Sequence, residues 1–300
     1  MRRRLLPLAL LALVVLSVTL PLALSRSTHS SSATSTTLRH YGLLGHPSEA
    51  QQRAVTAASK AYRQLIMQAG QKFGDAVTQL DAATSAGDLA GARTALRKAQ
   101  MAYDTLRGHI DLYSVTDLEI DGLMGQQPST MGRRGLHAVE QDLYGGDTTL
   151  LKSDVDNLRG SALMIVFGLG HTIKTPEQIL DITATTLHWA LDRAISTPHE
   201  QFCHCDIIDV RAVVDAAQAS THAALLLAKH VATHGDADAV RRALDRLVRD
   251  THHLGSLTMS DAQISHSQWR RIAIDIDALT PRLTTLAGDF YGYGTGRLYA

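Results

Sequence analysis

Apolar residues recur at helical spacing along most of this chain, and no stretch alternates convincingly between apolar and polar residues. The clearest case follows Ser48, where the apolar positions are Val55, Ala58, Tyr62, Leu65, Ile66 and Phe73. This spacing puts apolar side chains on one face of an α-helix, whereas a half-buried strand would show a period of two. The sequence therefore predicts an all-α fold, most simply two tandem four-helix bundles.

Capping residues and glycine breaks set the limits of the predicted helices. Ser48 and Asp88 are suited to cap the first two helices. We expect the first to reach about Ala83 and the second to continue until its pattern fails after Ser114. Residues 117–128 lack the helical pattern and are expected to form an irregular acidic connection. Further helices are expected around His137 up to Gly145, after a cap at Asp147, from Pro176, from Ile207 to His234, from Asp236 to about His253 and from Ser260 to about Phe290.

The amino terminus has the pattern of an export signal. Arg2, Arg3 and Arg4 precede an apolar run from Leu5 to Leu24, which is long enough to serve as an anchor if it is not removed. The protein is thus expected to be exported, and to be periplasmic, secreted or membrane-anchored. We expect residues 1–25 to be a signal peptide or membrane anchor, 26–45 a Ser/Thr-rich linker, 46–170 and 171–290 the two helical bundles, and 291–300 a flexible tail.

Charge and motif content exclude several classes of function. Lys plus Arg and Asp plus Glu balance at 29 each, and no basic stripe is interleaved with aromatic residues, which argues against nucleic-acid binding. The H-E-x-x-H, G-x-S-x-G and Walker patterns are all absent from the sequence. We therefore expect a protein that is not an enzyme.

The chain contains two cysteines, Cys203 and Cys205, which are separated by one histidine. They cannot form the disulfide framework of a small secreted domain, and a bond between such close neighbours would be strained. The sequence favours two small, partly buried thiols over a thiolate metal site.

A histidine and a glutamate in the helix after Gly135 are spaced to share a metal ion. His137 and Glu140 lie at positions i and i+3 and so are neighbours on the helix surface. A separate apolar stripe of Leu136, Val139 and Leu143 can build the core without them. A solvated surface pair remains the simpler interpretation of this motif alone.

Further acids lie on the second helix and in the connection that follows it. Asp104, Arg107 and Asp111 share one helix face, which on its own favours a solvated, locally neutralised surface. Alternatively, a loop acid such as Glu119 or Asp121 closes a metal site between helices, as is common in bundles.

A second polar cluster opens the Ile207 helix. Asp206 is suited to be its N-cap, and His204 is either a buried core histidine or a functional residue.

Residues from about 79 to 146 resemble the EfeO/EfeM branch of the imelysin-like proteins. The similar segments are AATSAGDLAGARTALRKAQMAYDTLRGHIDLYSVTDLEIDG and GRRGLHAVEQDLYGGD, and the second carries the family's G-x-H-x-x-E motif at Gly135, His137 and Glu140. Glu200 to Ile207 resembles a further family segment in which both cysteines replace hydroxyl residues. The family has a second acid where this chain has Arg107, so that either Asp111 substitutes, Arg107 turns away or affinity falls.

The resemblance implies a function as well as a fold. It implies metal ligation by Asp104, Asp121, His137 and Glu140, with Asp111, Glu119, His204 and Asp206 as further candidates. Iron is the implied metal, and zinc and manganese also suit these ligand types. The implied role is capture of iron outside the cytoplasm for a membrane iron permease that works with a haem-dependent peroxidase. The alternatives are an imelysin-like metallopeptidase and a helical scaffold or interaction protein with a degenerate metal site.

Overall fold

The computed structural model describes residues 47–110, 115–122, 134–169, 173–192, 202–233, 237–254, 261–291 and 293. All regular elements in these ranges are helical, which confirms the all-α class. The α-helices are α1 Glu49–Ser85, α2 Leu89–Arg107, α3 Val115–Asp121, α4 Leu136–Tyr144, α5 Leu151–Gly168, α6 Pro176–Ala190, α7 Asp206–Ala224, α8 Ala237–Leu254 and α9 His266–Phe290, with short 3-10 turns at Ala228–His230 and Asp261–Gln263.

Local capping explains why several helices begin where the sequence predicts. Ser48 Oγ accepts a hydrogen bond from the Gln51 amide at 3.3 Å, and Gln51 Oε1 accepts one from the Ser48 amide at 2.8 Å. This reciprocal pair satisfies two amides that the first helical turn leaves without partners. At the start of α2, the side chain of Asp88 accepts a single hydrogen bond from the Gly91 amide. The predicted starts of α1 and α2 are confirmed.

Several other predicted boundaries are wrong. Helix α2 ends at Arg107 rather than near Ser114, and α9 begins at His266, after a cap at Ser265, rather than at Ser260. Residues 115–121 form helix α3 rather than an irregular connection, because Ile120 is buried in the core and Tyr103 bonds Asp117. Asp147 accepts bonds from Thr149 in a turn, and α5 begins only at Leu151. Helix α7 ends at Ala224 rather than His234. The chain continues through a turn, in which Leu225 and Leu227 are buried and Leu226 is exposed, into a 3-10 segment.

The helices share one connected apolar core. Helix α1 packs along α2 and α5, while α6 packs against α7 and α9, and α8 against α7 and α9. Helix α7 also contacts α1 and α2, so it brings its own side chains to the buried face of α2. Residues 45–300 cluster as one compact unit, and their division into two four-helix bundles near residue 170 stays a prediction.

The predicted signal peptide, the linker and most of the predicted tail lie outside the described residues. Within the described ranges, no helix has the length and apolar character needed to cross a bilayer.

A glycine fixes the approach of α4 to α3. Gly135 has φ +89°, a left-handed value that favours glycine. A Cβ atom at this position would lie 2.5 Å from the carbonyl oxygen of Ile120 and 2.7 Å from that of Glu119. The glycine of the G-x-H-x-x-E motif therefore lets the backbone before His137 contact the backbone of α3.

Replacing Gly135 by alanine tests this close contact. Gly135→Ala should lower the free energy of unfolding by about 3 kcal/mol, because it adds a steric clash to backbone strain. Gly146→Ala is the matched control, since Gly146 has φ +87° and an open Cβ position. It should cost only about 1 kcal/mol. Equal losses in urea denaturation would show that the α3 contact is unimportant.

Candidate functional site

The side chain of Arg107 lies at the centre of a buried acidic cluster. Its guanidinium is 2% exposed and donates from Nε and Nη2 to Asp104 Oδ1, at 2.9 and 2.6 Å. Nη2 also donates to Asp121 Oδ2 at 2.5 Å, and Nη1 to Asp117 Oδ1 at 3.4 Å. The solvated surface favoured from the sequence is therefore wrong for Asp104 and Arg107. Arg107 does not turn away from the acids.

Aromatic rings complete the surroundings of this arginine. The Trp189 ring centre lies 3.7 Å from Cζ of Arg107, and the Tyr103 ring centre lies 5.1 Å away. Tyr103 also donates its hydroxyl hydrogen bond to Asp117 Oδ1 at 2.8 Å. Burial acts to lower the pKa of Arg107, but the adjacent carboxylates of Asp121, Asp104 and Asp117 raise it well above its usual range. The guanidinium is a permanent internal cation.

His137 and Glu140 extend the cluster from helix α4. Both are buried, and His137 Nδ1 lies 3.1 Å from Glu140 Oε2. On the other side of the ring, His137 Nε2 lies 3.6 Å from Asp121 Oδ1. The structure thus brings Asp104, Asp121, His137 and Glu140 into one buried polar chain, with Arg107 between the two aspartates.

His137 retains its proton more readily than an ordinary histidine. Burial lowers its pKa, but the hydrogen bond to Glu140 and the charges of Asp121 and Glu140 outweigh burial, so the pKa is raised above 6.5. The ring therefore holds its proton to a higher pH than a free imidazole does, which suits its position between two carboxyl groups.

Asp209 on α7 belongs to this cluster and was not predicted from the sequence. Burial, followed by the charge of Asp104, raises its pKa well above the usual range. Asp209 is hydrogen-bonded to Asp104, whose own pKa burial also raises, so we expect this pair of carboxyl groups to retain a proton. The only sequence signal was a carboxylate between Ile208 and Val210, within an apolar helical run.

The remaining predicted residues lie in different settings. Glu119 is half-buried and 3.5 Å from Arg134. Asp206 is buried but is not the N-cap of α7, since Cys205 holds that position and Asp261 accepts hydrogen bonds from the first amides of the helix. His204 is exposed rather than a core histidine. Asp111 lies outside the described residues.

The two cysteines are joined, which corrects the prediction of separate thiols. A disulfide links Cys203 and Cys205 immediately before α7. His204 between them has φ +51°, and this left-handed conformation, which no sequence period indicates, accompanies the bond. The loop contacts the cluster directly, because Glu140 Oε1 accepts from the amides of Phe202 and Cys203 at 2.9 and 2.7 Å.

The arrangement has features for and against cation binding. Among the described residues, no three His, Cys, Asp or Glu side chains form a group arranged to hold a metal ion. However, two donors on one metal ion lie about 3.0–3.6 Å apart, which matches the spacing between His137 Nε2 and Asp121 Oδ1. Asp104, Asp117, Asp121 and Glu140 also place four carboxyl groups around one guanidinium and one imidazole, so acidic side chains outnumber basic ones in the cluster.

No protein-family model matches this chain, and no curated protein matches it significantly. The resemblance to the EfeO/EfeM branch therefore stays a prediction carried by the motif residues.

Removing the internal cation should destabilise the fold strongly. Arg107→Met leaves three buried aspartates without their cation, and we expect a loss of about 3–5 kcal/mol at neutral pH. The loss should shrink at acidic pH, where the aspartates become protonated. Arg159→Met removes an exposed pair with Asp81 and should cost less than about 1 kcal/mol. A similar small loss for both variants, measured by urea denaturation, would contradict a structural role for Arg107.

The buried proton of Asp209 should make stability depend on pH. A carboxyl group with a raised folded pKa contributes stability below its unfolded pKa, and this contribution is lost as pH rises through the folded value. Asp209→Asn keeps a donor to Asp104 but cannot ionise. Its stability relative to wild type should therefore improve with increasing pH, by up to about 1.4 kcal/mol per pH unit between the unfolded and the folded pKa of Asp209, and should level off above the folded value. A constant difference between pH 5 and 9 would refute this assignment.

Proposed function

We propose that this chain is an exported iron-binding protein that captures iron outside the cytoplasm and passes it to a membrane permease. The observation that carries the proposal is the excess of acidic over basic side chains in the buried cluster that contains His137 and Glu140. Buried carboxylates are costly unless a cation compensates them, so the cluster favours gain of a further positive charge. The resemblance of the G-x-H-x-x-E segment to iron-uptake proteins supports an iron ion as the source of that positive charge.

Asp121 and His137 are the donors best placed for the metal. Their facing atoms are separated by a distance that one ion can bridge, and the ion would displace the proton of the imidazolium. Glu140 orients the ring through Nδ1 and is itself held by two backbone amides. This is the arrangement by which carboxylates commonly fix a ligating histidine.

Arg107 would limit the affinity of this site. A guanidinium that shares Asp121 with the metal repels it and competes for the carboxylate. Such competition suits a carrier, because iron that is to be delivered must also be released. No covalent step is required of this chain, and we propose no catalytic residue.

The disulfide supports the proposed location. Stable disulfides are typical of extracytoplasmic proteins and are rare in the reducing cytosol. The Cys203–Cys205 bond therefore fits the export expected from the amino-terminal sequence.

A second candidate function is a helical interaction protein in which Arg107 has replaced the metal. The close contacts of Arg107 with Asp104, Asp121 and Trp189 favour it, because a guanidinium with these partners already fills a cation position. In that case the cluster would be purely structural.

Iron titration distinguishes the two candidates. Wild-type protein should bind about one equivalent of iron from ferric citrate, or ferrous iron without oxygen, at pH 7. His137→Ala/Glu140→Ala should weaken binding at least about 100-fold. His252→Ala is the control, since this exposed histidine pairs with Asp215 elsewhere on the surface, and it should bind as wild type does.

The behaviour of Arg107→Gln completes this test. If the carrier proposal is right, removal of the repulsive charge should tighten binding at least about tenfold. Equally poor binding by wild type and the double variant would refute the carrier proposal. If Arg107→Gln binds iron and the wild type does not, the result favours the second candidate, a helical interaction protein in which Arg107 has replaced the metal.

Iron affinity should also fall with decreasing pH. Because the metal replaces the His137 proton, each pH unit below the pKa of His137 should cost about tenfold in affinity. That pKa is raised, so the decline should begin above the range of an ordinary imidazole. An affinity that is flat from pH 8 to 5 would exclude His137 as a ligand.

A further inference from the structure

The loop that precedes α7 is held by a carboxylate on each side. On one side, Glu140 Oε1 accepts from the amides of Phe202 and Cys203. Glu140 is fully buried, so these two charge-assisted hydrogen bonds compensate much of the cost of its burial. The same carboxylate contacts His137 through its other oxygen. The backbone of this loop therefore determines how Glu140 is held.

On the other side, Asp261 fixes the end of the loop. Its carboxylate accepts from the amides of Asp206 and Ile207 at 3.0 and 3.1 Å, and its own amide donates to the carbonyl oxygen of His204 at 2.8 Å. The Cys203–Cys205 disulfide lies between the two anchored ends.

This disulfide is poorly suited to stabilise the fold as a whole. Its cysteines are two positions apart, and the stabilisation that a crosslink gives through the unfolded state is smallest for short loops. The bond does enclose His204, whose backbone is left-handed. Residues other than glycine adopt this conformation only at a cost in free energy. Its effect is therefore concentrated on the local backbone, whose amides bind Glu140.

We propose that Cys203–Cys205 is a thiol–disulfide exchange site for a dithiol reductant, and that its redox state sets how firmly the Phe202 and Cys203 amides hold Glu140 beside His137. Cys203 is the point of attack, because it is 8% exposed whereas Cys205 is completely buried.

The exchange proceeds in two displacement steps. A thiolate of the reductant bonds to Sγ of Cys203, the Cys203–Cys205 bond breaks, and Cys205 leaves as a thiolate that takes up a proton. The second thiol of the reductant then attacks its own sulfur in the mixed disulfide, and Cys203 leaves and is protonated. The cysteine pair gains two electrons and two protons, and the dithiol is oxidised to a disulfide.

Reduction relaxes the backbone of the loop. Once the ring is open, His204 can leave its left-handed conformation, and the Phe202 and Cys203 amides can turn from Glu140. The Glu140 carboxylate then loses its two backbone donors and positions His137 less firmly. A weaker iron affinity in the reduced state rests on the proposed function, whereas the exchange reaction and the coupling to Glu140 do not.

Hydrogen exchange on the full chain tests the coupling directly. An excess of dithiothreitol should reduce the folded protein, seen by mass as a gain of two hydrogen atoms. The amides of Phe202 and Cys203 should then exchange at least about tenfold faster, while the core amides of α1 stay unchanged. Resistance of the folded protein to reduction would overturn the exchange site. Protection that stays within about twofold at both amides would overturn the coupling.

Cys203→Ser/Cys205→Ser is the matched control. Its two amides should exchange as in the reduced wild type, and dithiothreitol should have no further effect; a response to dithiothreitol would show that reduction acts elsewhere.

Iron titration of the oxidised wild type and this variant, without reductant, should show at least about tenfold weaker binding in the variant. Equal affinities would overturn the link to the metal site. Absence of iron binding in both proteins would refute the proposed function and leave the amide result to decide the coupling.

Discussion

The burial of Arg107 among aspartates is the interaction on which the arrangement of the surrounding helices depends. The guanidinium on α2 contacts Asp104 on its own helix, Asp121 on α3 and Trp189 on α6. A buried cation and buried carboxylates are each costly to leave alone, so these helices are stable only together. An ion pair of this kind adds little net stability over an apolar contact. Its main effect is to specify which helix faces meet.

The same chain of charges connects the helical core to the loop before α7. Asp121 lies between Arg107 and His137, and Glu140 lies between His137 and the amides of Phe202 and Cys203. Each group therefore contacts a neighbour whose charge or orientation affects it. Arg107 is therefore connected to His137 through Asp121, and the loop that contains the disulfide is connected to it through Glu140.

Sequence patterns predicted the parts of this fold that depend on local interactions. Helices α1 and α2 have long apolar stripes and side-chain caps, and both began where expected. Helix α3 has only seven residues, and its stability depends on contacts of Asp117 and Ile120 with distant parts of the chain. Such contacts override a weak local pattern. No periodic pattern in the sequence indicates these contacts of Asp117 and Ile120.

The site divides in the same way. The spacing of His137 and Glu140 places them on one helix turn, so their proximity could be predicted directly from the sequence. The burial of Arg107 was not, since charged residues on an amphipathic helix are normally solvated and only the facing carboxylates make burial tolerable. The disulfide was not predicted either, because a bond between such close neighbours was expected to be strained and no period of the sequence indicates the left-handed histidine that accompanies it.

One guanidinium lies among several buried carboxyl groups, so proton binding also affects the charge of this cluster. Burial and then the charge of Asp104 raise the pKa of Asp209, and the hydrogen bond to Glu140 and the charge of Asp121 raise the pKa of His137 despite its burial. Both protons are held at buried positions by nearby carboxylates rather than by solvent. In the proposed iron-binding role, a metal ion between Asp121 and His137 would displace the proton of the imidazole, so that metal capture would release a proton, and Arg107 would compete with the metal for Asp121.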